Sequence, residues 1–411
     1  MDKIASQRKT HLRVLYIHNS GVFGGAGRSL LELITNFPEG AIFPLVVSPN
    51  GQFIKILRKR GIPNITSLGM SQFDNTQYGY YRGWRWFILL RELFNFPSML
   101  IAILTAKFKW KSIDLVHINE ITLLPLLLLV KFLFNCPIFM HVRSPQRVGN
   151  GLRERFISSL LKRNVTHIIA IDQSVRNTLD PKLNIHIIHN SFSFNPDILG
   201  NSTDSSCFKV GMIGSLIKAK GCADFIEAAA ICIKRDPNIR FAFFGGRLRP
   251  HSFLRDFFLG KLNLLQDIEP QLRSMVRDLD LVDNVEFCPF TANLESVYSQ
   301  LKLVCFPSHF DAPGRPIFEA AFFGIPSVVA ISKPLEDTLL NGFTGIAVSP
   351  KNPAELAEAI MFYFQNPKIR SEAGINARHL AHKNFNSKRN SLKIHDLYLE
   401  ALAMHTNGCR L

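Results

Sequence analysis

The chain has 411 residues, 47% of them hydrophobic, with 48 Lys and Arg against 32 Asp and Glu and a formal net charge of +16. That length exceeds one ordinary core and predicts two domains, while the apolar content excludes an intrinsically disordered chain. The positive excess predicts anionic partners, but no zinc-knuckle spacing, RNA-recognition strand or helix-turn-helix is present, so no nucleic-acid partner is expected. The seven cysteines are scattered without paired metal spacing and predict reduced thiols and no metal site. The opening segment MDKIASQRKTHLRV has no apolar signal stretch. The apolar runs at 93–106 and 121–130 are shorter than the roughly 20 residues that span a bilayer. Together these features predict a cytoplasmic protein.

In chain order, residues 12–17 (LRVLYI) read as a buried strand, followed by a loop with glycines at 24, 25 and 27 that opens onto a helix near Arg28. A strand, a Gly-rich loop and a helix N-terminus can cradle a phosphate, and a tight structural turn would look the same. No glycine lies three residues beyond Gly27, and the next strand, 43–48, ends in Ser-Pro-Asn without an acidic ribose anchor, which argues against a nicotinamide enzyme. Residues 78–111 hold all three tryptophans (84, 86 and 110), many Leu, Ile and Phe, and basic residues at 82, 85, 91, 107, 109 and 111. That mixture suits helices lying on an anionic membrane surface; core helices packed on the first sheet are the equal alternative. Residues 113–118 and 137–142 are strands flanking an apolar helix at 121–134, expected to be buried. The second strand leads into His141 and Arg143, and Arg143 is a possible anion ligand. Strands at 165–171 and 185–188 complete a first domain over residues 1–194.

Residues 195–206 (NPDILGNSTDSS) read as a linker, and the second domain, 207–385, opens with a strand at 208–213. Gly214, Ser215 and Lys220-Gly221 then precede a helix, and further strands are expected at 239–246, 284–290 and 301–306. The stretch 306–331, FPSHFDAPGRPIFEAAFFGIPSVVAI, is the most specific in the chain. It predicts a strand end, a polar loop, a helix from Pro316 to Gly324 and a second strand, with Asp311 in the loop and Glu319 in the first helical turn. Carboxylates there can accept hydrogen bonds from sugar hydroxyls, and the backbone N–H groups around Gly314 can hold an anion; a Glu319 that serves only the helix dipole is the equal alternative. Residues 386–411 form a last helix crossing back towards the first domain.

An acidic residue followed after seven positions by Glu-Ala, with glycine three after the first acid, resembles the motif of retaining nucleotide-sugar glycosyltransferases of family 4. The resemblance is strongest over 208–360 and absent over 50–110. It implies the α/β GT-B fold, two Rossmann-like doubly wound domains facing across a cleft. It further implies a UDP- or GDP-sugar as donor, no metal cofactor, and a sugar or lipid-linked hydroxyl acceptor of the surface-polysaccharide kind, used at the inner face of a membrane. By the same resemblance Gly24 and Gly25 line the donor phosphates, and Lys220 grips the diphosphate. Phe290 and Thr291 lie at the base, Asp311, Ala312 and Gly314 at the sugar, Glu319 at the ribose and His141 at the sugar from the opposite wall. Two departures stand out. Asp311 is one methylene shorter than the usual glutamate, and Ser215 replaces an arginine, a loss of charge that Arg247, Arg249 or Arg315 could make good. A nucleotide-sugar 2-epimerase on the same fold, and a non-catalytic nucleotide- or membrane-binding relative, remain as alternatives.

Overall fold

The computed structural model describes residues 11–77, 79–81, 83–149, 151–193, 207–245, 268–289, 291, 293–310 and 313–408, with Trp84, Asn407 and Gly408 described by backbone alone. The expectations placed on Tyr78, Arg82, the linker 195–206, Arg247, Arg249, Phe290, Asp311 and Ala312 therefore lie outside the described residues. The chain forms two compact units, one of residues 1–193 and 386–411, the other of 194–385.

The first unit is built on seven parallel strands. They are β1 (Leu12–Ile17), β2 (Ile42–Pro49), β3 (Asn64–Ser67), β4 (Leu115–Ile118), β5 (Ile138–Val142), β6 (His167–Ala170) and β7 (Ile185–Ile187). Their order is β3-β2-β1-β4-β5-β6-β7. Both faces are covered, which is why the central strands are almost continuously apolar. Leu15 and Ile17 point into one core with Met99, Ile103 and Leu127, whereas Val14 and Tyr16 point into the other with Leu30, Phe53 and Tyr398. The first face carries α3 (Ile88–Lys109), α4 (Leu124–Leu133) and α5 (Leu152–Asn164). The second carries α1 (Gly25–Thr35), α2 (Gln52–Lys59) and the last helix, Ser387–Gly408, whose Ile394, Tyr398 and Ala401 are buried there.

Two sequence expectations need correction here. The apolar run at 93–106, read as too short to span a bilayer, is part of a longer helix: α3 runs unbroken for 22 residues through Pro97. By length and composition alone the 25-residue stretch Arg85–Lys109 could cross a membrane, yet its Met99, Ala102, Ile103 and Ala106 are buried in the sheet-covering core. The helix at 121–134 is only half buried, since Leu128 is 57% and Phe132 86% exposed. Strand β3 went unread because NITS offers a single core side chain, Ile65.

The second unit has six parallel strands, β8 (Lys209–Ile213), β9 (Arg240–Phe244), β10 (Val285–Cys288), β11 (Leu303–Phe306), β12 (Ser327–Ala330) and β13 (Gly345–Val348), in the order β10-β9-β8-β11-β12-β13. Helices Cys222–Arg235 and Pro353–Gln365 pack together over one face. The helix Arg315–Phe322 follows β11 as expected, with its glycine stop, Gly324, at φ +71. Both sheets are therefore doubly wound α/β layers of the Rossmann type. Strand order reverses between β1 and β4 in one unit and between β8 and β11 in the other. Ligands of open parallel sheets bind outside the carboxyl ends of strands at such a reversal, so the fold itself nominates two places.

Candidate functional site

In the second unit, the loop leaving β8 meets the loop leaving β11 backbone to backbone. A Cβ on Gly221 would sit 1.8 Å from the Pro307 carbonyl oxygen, and Gly221 has φ +70, so glycine is required twice over. The His309 N–H donates to the Ala219 carbonyl at 2.9 Å, and the His309 ring bonds Asp224 through Nε2 at 2.9 Å. These contacts fix Lys220 at the reversal, where Gly221 also caps the helix Cys222–Arg235. The Lys220 ammonium lies 4.7 Å from the centre of the Phe306 ring, and burial lowers its pKa. A cation held this way keeps little hydration and has no carboxylate partner among the described residues, which suits it to an incoming anion.

Glu319 is 2% exposed, deeper than a helix-dipole partner needs to be. Its Oε2 accepts from the Tyr298 hydroxyl at 2.9 Å and its Oε1 accepts from Arg315 Nε at 2.9 Å. Arg315, expected to make good the missing phosphate arginine, donates from Nε to Glu319, and its guanidinium lies 5.2 Å from the Phe318 ring. Gly314 caps that helix without a side-chain hydrogen bond, and a Cβ there would strike the Phe306 ring at 2.2 Å. Ser215 follows Gly214 at the end of β8, and the Thr291 hydroxyl accepts from the Asn293 N–H at 3.1 Å beyond β10. The structure brings Lys220, Gly314 and Glu319 to one edge of this sheet.

In the first unit, Gly24 and Gly25 open α1 after β1, with no side-chain cap and no acid in the first turn. Open space surrounds a Cβ at Gly24; the tighter position is Gly27, whose Cβ would come 3.4 Å from His18 Nε2. His141 is 4% exposed at the end of β5, and His18 is fully buried at the end of β1. Between them stands Arg143, which donates from Nε to the Asn119 carbonyl (3.1 Å), from Nη2 to Asn119 Oδ1 (2.7 Å) and from Nη1 to Asn190 Oδ1 (2.6 Å). Its reading as an anion ligand is therefore corrected, because the fork is spent inside the protein. Sequence reasoning missed His18, His117, Asn119 and Tyr398 altogether. His117 and Asn119 are two apart on β4 and its end, but nothing in the spacing announces that Tyr398, 281 positions further on, bonds the His117 ring.

Away from this reversal, a cavity of about 390 Å³ opens between α5 and residues 177–183. Ile157, Leu161, Leu179 and Leu183 are among the residues lining it, with Arg147 and Arg155 among its polar groups.

With both edges in view, the molecule is of the class built from two Rossmann-like parallel sheets. Residues 201–380 match the family model described as "Glycosyl transferases group 1". The curated relatives include the capsular polysaccharide biosynthesis glycosyltransferase CapM of Staphylococcus aureus, 23% identical over 44% of this chain and 43% of that one. They also include a D-inositol 3-phosphate glycosyltransferase of Paenarthrobacter aurescens, 27% identical over 41% and 38%. The match thus spans less than half the length of these relatives. The fold is shared over nearly the whole chain with Anabaena HepE solved in complex with UDP, at TM-score 0.71 and 20% identity over 95% of this chain and 100% of that one. Sucrose-phosphate synthase of Thermosynechococcus elongatus is similar at TM-score 0.69 and 16% identity, over 96% and 100%.

Proposed function

We propose that the chain is a glycosyltransferase that moves a sugar from a nucleoside-diphosphate sugar to a hydroxyl acceptor. The observation carrying this reading is the placement of Lys220 and Glu319 at the carboxyl ends of adjacent strands β8 and β11, where an anion and a polyhydroxyl group can be held side by side. In the reaction the bond from the anomeric carbon to the diphosphate oxygen breaks with its electron pair leaving on the diphosphate. The acceptor oxygen bonds that carbon, and its proton passes to the departing phosphate or to water. Lys220 and the N-termini of the two helices stabilise the charge that develops on the leaving group. Glu319, oriented by Tyr298 and Arg315, takes the ribose hydroxyls. UDP is the favoured nucleotide, since a structural neighbour was solved with UDP-glucose, and retention is the expected stereochemistry.

The test is turnover with UDP-, GDP- and ADP-sugars, read as nucleoside diphosphate release and as thermal stabilisation, for the wild type and Lys220→Met. A donor at 100 times its Kd adds about 2.7 kcal/mol of apparent stability. Losing one charge-assisted contact in Lys220→Met weakens that donor roughly 10- to 100-fold. Conversion of the donor to its 2-epimer without diphosphate release would establish the epimerase instead. Donor binding without turnover, or no response to any donor, would leave a non-catalytic relative.

The acceptor we propose is lipid-linked and used at the cytoplasmic face of an anionic membrane. The outer surfaces of α3, α4 and α5 support this, because they expose Leu93 (69%), Phe94 (84%), Phe108 (74%), Phe132 (86%), Leu152 (86%) and Phe156 (67%) on one side of the sheet. Arg91, Lys107, Lys109, Lys131, Arg155 and Lys162 stand exposed among them. Such a surface gains by burying its apolar side chains between anionic head groups. The nearby cavity has room for a polar head. Of the tryptophans, Trp86 is 45% exposed on this side whereas Trp110 is in the core, so the aromatic contribution is smaller than residues 78–111 suggested. Flotation with phosphatidylglycerol vesicles should carry the wild type. It should fail for the triple substitution Phe94→Ser, Phe132→Ser, Phe156→Ser. Flotation unchanged by the substitutions would reject this surface.

A further inference from the structure

The hydrogen bonds around Arg143 carry more information than their distances. Arginine can only donate, so every atom facing its guanidinium must accept. Asn119 therefore turns its oxygen to Arg143 and its nitrogen to His18, whose Nδ1 lies 2.9 Å from Asn119 Nδ2 and must accept. His141 Nδ1, 3.3 Å from Arg143 Nη2, must accept as well. His117 Nε2 is 3.3 Å from that same Nδ1 and is left as a donor, so its own Nδ1 receives the Tyr398 hydroxyl at 2.5 Å. One arginine thus orders three imidazoles drawn from β1, β4 and β5.

All three rings are neutral at neutral pH. Burial, followed by the charge of Arg143, lowers the pKa of His18 and His117 to about 3 and that of His141 well below its ordinary value, with His117 adding to the last. A neutral imidazole has one proton, which with Nδ1 accepting must sit on Nε2. The Nε2–H of His117 is used on His141. The Nε2–H of His18 is closed beneath Gly27 and against the Phe53 ring, 4.9 Å away between centres. The Nε2 atoms of His141 and His18 are both buried and, among the described residues, without a partner. A buried donor left unmade is costly, and of these two the His18 group is already covered by Gly27 and Phe53.

We propose that Arg143 is a positioning residue that locks His141 in its Nε2–H form, so that His141 offers a single uncharged hydrogen-bond donor to a lone pair on a sugar hydroxyl oxygen. This assignment rests on the glycosyltransferase reading for the identity of the ligand, but not for the tautomer. His141 accordingly acts neither as general acid nor as general base. The groups facing it are His117 from β4 and Arg143 from its own strand; behind them lie Tyr398 from the last helix, Tyr16 and His18 from β1 and Glu120 at the end of β4.

Nitrogen-15 NMR of histidine-labelled full-length protein, with His141 assigned by comparison with His141→Gln, reads the tautomer without any assay of activity. The expected result is an unprotonated Nδ1 and a protonated Nε2 on His141, unchanged between pH 6 and 8.5. A proton on Nδ1, or titration of this ring near its ordinary value, would overturn the proposal even if sugar transfer is established. In Arg143→Met the His141 signals should shift towards a mixture of tautomers. Turnover should fall about tenfold to a hundredfold, the size of one hydrogen bond to a buried group, with a pH profile as flat as that of the wild type. His141→Gln, which keeps an N–H donor, should retain more turnover than His141→Ala. Equal loss in the two would also count against the donor role. Should Arg143→Met fail to fold, the wild-type spectrum still decides the tautomer, and the Gln and Ala pair still decides the donor.

Discussion

The two sheets reverse in the same way, yet their carboxyl edges are finished by opposite means. In the first unit, the edge is sealed by side chains: His18, Asn119, Arg143, His141, His117 and Tyr398 bond one another, all but Arg143 nearly inaccessible to water. In the second unit, the edge is finished by backbone, with Gly221 against Pro307 and Gly245 against Gly214, each close enough to exclude a Cβ. Among the described residues Lys220 has no acid partner, and it shares this edge with one carboxylate, Glu319, that is oriented by Tyr298 and Arg315. The difference shows what each edge is built to do. Backbone-to-backbone contact leaves amide groups and a loose charge available to a ligand, whereas the side-chain network uses up its charge to orient a neutral ring.

The largest expected effect comes from the engaged carboxylate. Glu319→Gln keeps the shape but removes the charge that faces Arg315, whose side chain is 13% exposed. Breaking such a pair on one side costs about 3–5 kcal/mol. The loss should be confined to the second unit, and the sequence offers a way to see this, because all three tryptophans belong to the first. Urea unfolding followed by far-ultraviolet circular dichroism should show an earlier transition, while the tryptophan fluorescence transition stays in place. If both signals move together, the units do not unfold separately; if neither moves, the ion pair contributes nothing.

The same contrast explains what could be read from the sequence. The second edge is written locally: glycine 221 next to lysine 220, and a helix bracketed by Pro316 and Gly324 with Glu319 inside it, are all within a few residues of one another. Strand–loop–helix chemistry of this kind survives in a one-dimensional pattern. The first edge is written at a distance. Arg143 looked like an anion ligand because an arginine after a strand has no visible partner until Asn119 and Asn190 fold against it. His117 looked like a strand residue among Leu, Val and Ile, and Tyr398 like one more apolar-face position on a terminal helix. The full length of helix α3 was not legible in the apolar run 93–106, because packing of Met99, Ile103 and Ala106 on the sheet carries the helix beyond that run and through Pro97. Asp224 and His309 were missed for the same reason as Tyr398, since their 2.9 Å contact joins residues 85 apart.

A smaller effect sharpens the comparison by making the sealed edge report on pH. Glu120 is 6% exposed at the end of β4, and its Oε1 accepts the Ile121 N–H at 2.9 Å. Burial raises its pKa from 4.5 to about 7, against the opposing pull of Arg143. The folded state therefore holds a proton on Glu120 that the unfolded chain gives up, and stability falls as pH rises from about 4.5 to 7. At about 1.4 kcal/mol per pH unit this amounts to roughly 3 kcal/mol in all. His18 and His117 act with the opposite sign. Their folded values near 3 lie below the ordinary 6.5, so their contribution is complete above 6.5 and is lost as pH falls towards 3. Two histidines outweigh one carboxyl between pH 4.5 and 6.5, and from these three groups stability should peak near 6.5 and decline slightly above it. Glu120→Gln keeps the acceptor for Ile121 but cannot ionise. Measured by tryptophan fluorescence in urea, the variant should match the wild type near pH 4.5 and exceed it by about 3 kcal/mol above pH 7. A difference that does not grow with pH would mean that Glu120 ionises in the folded protein as easily as in the unfolded one, and that the first edge is more open to water than its burial indicates.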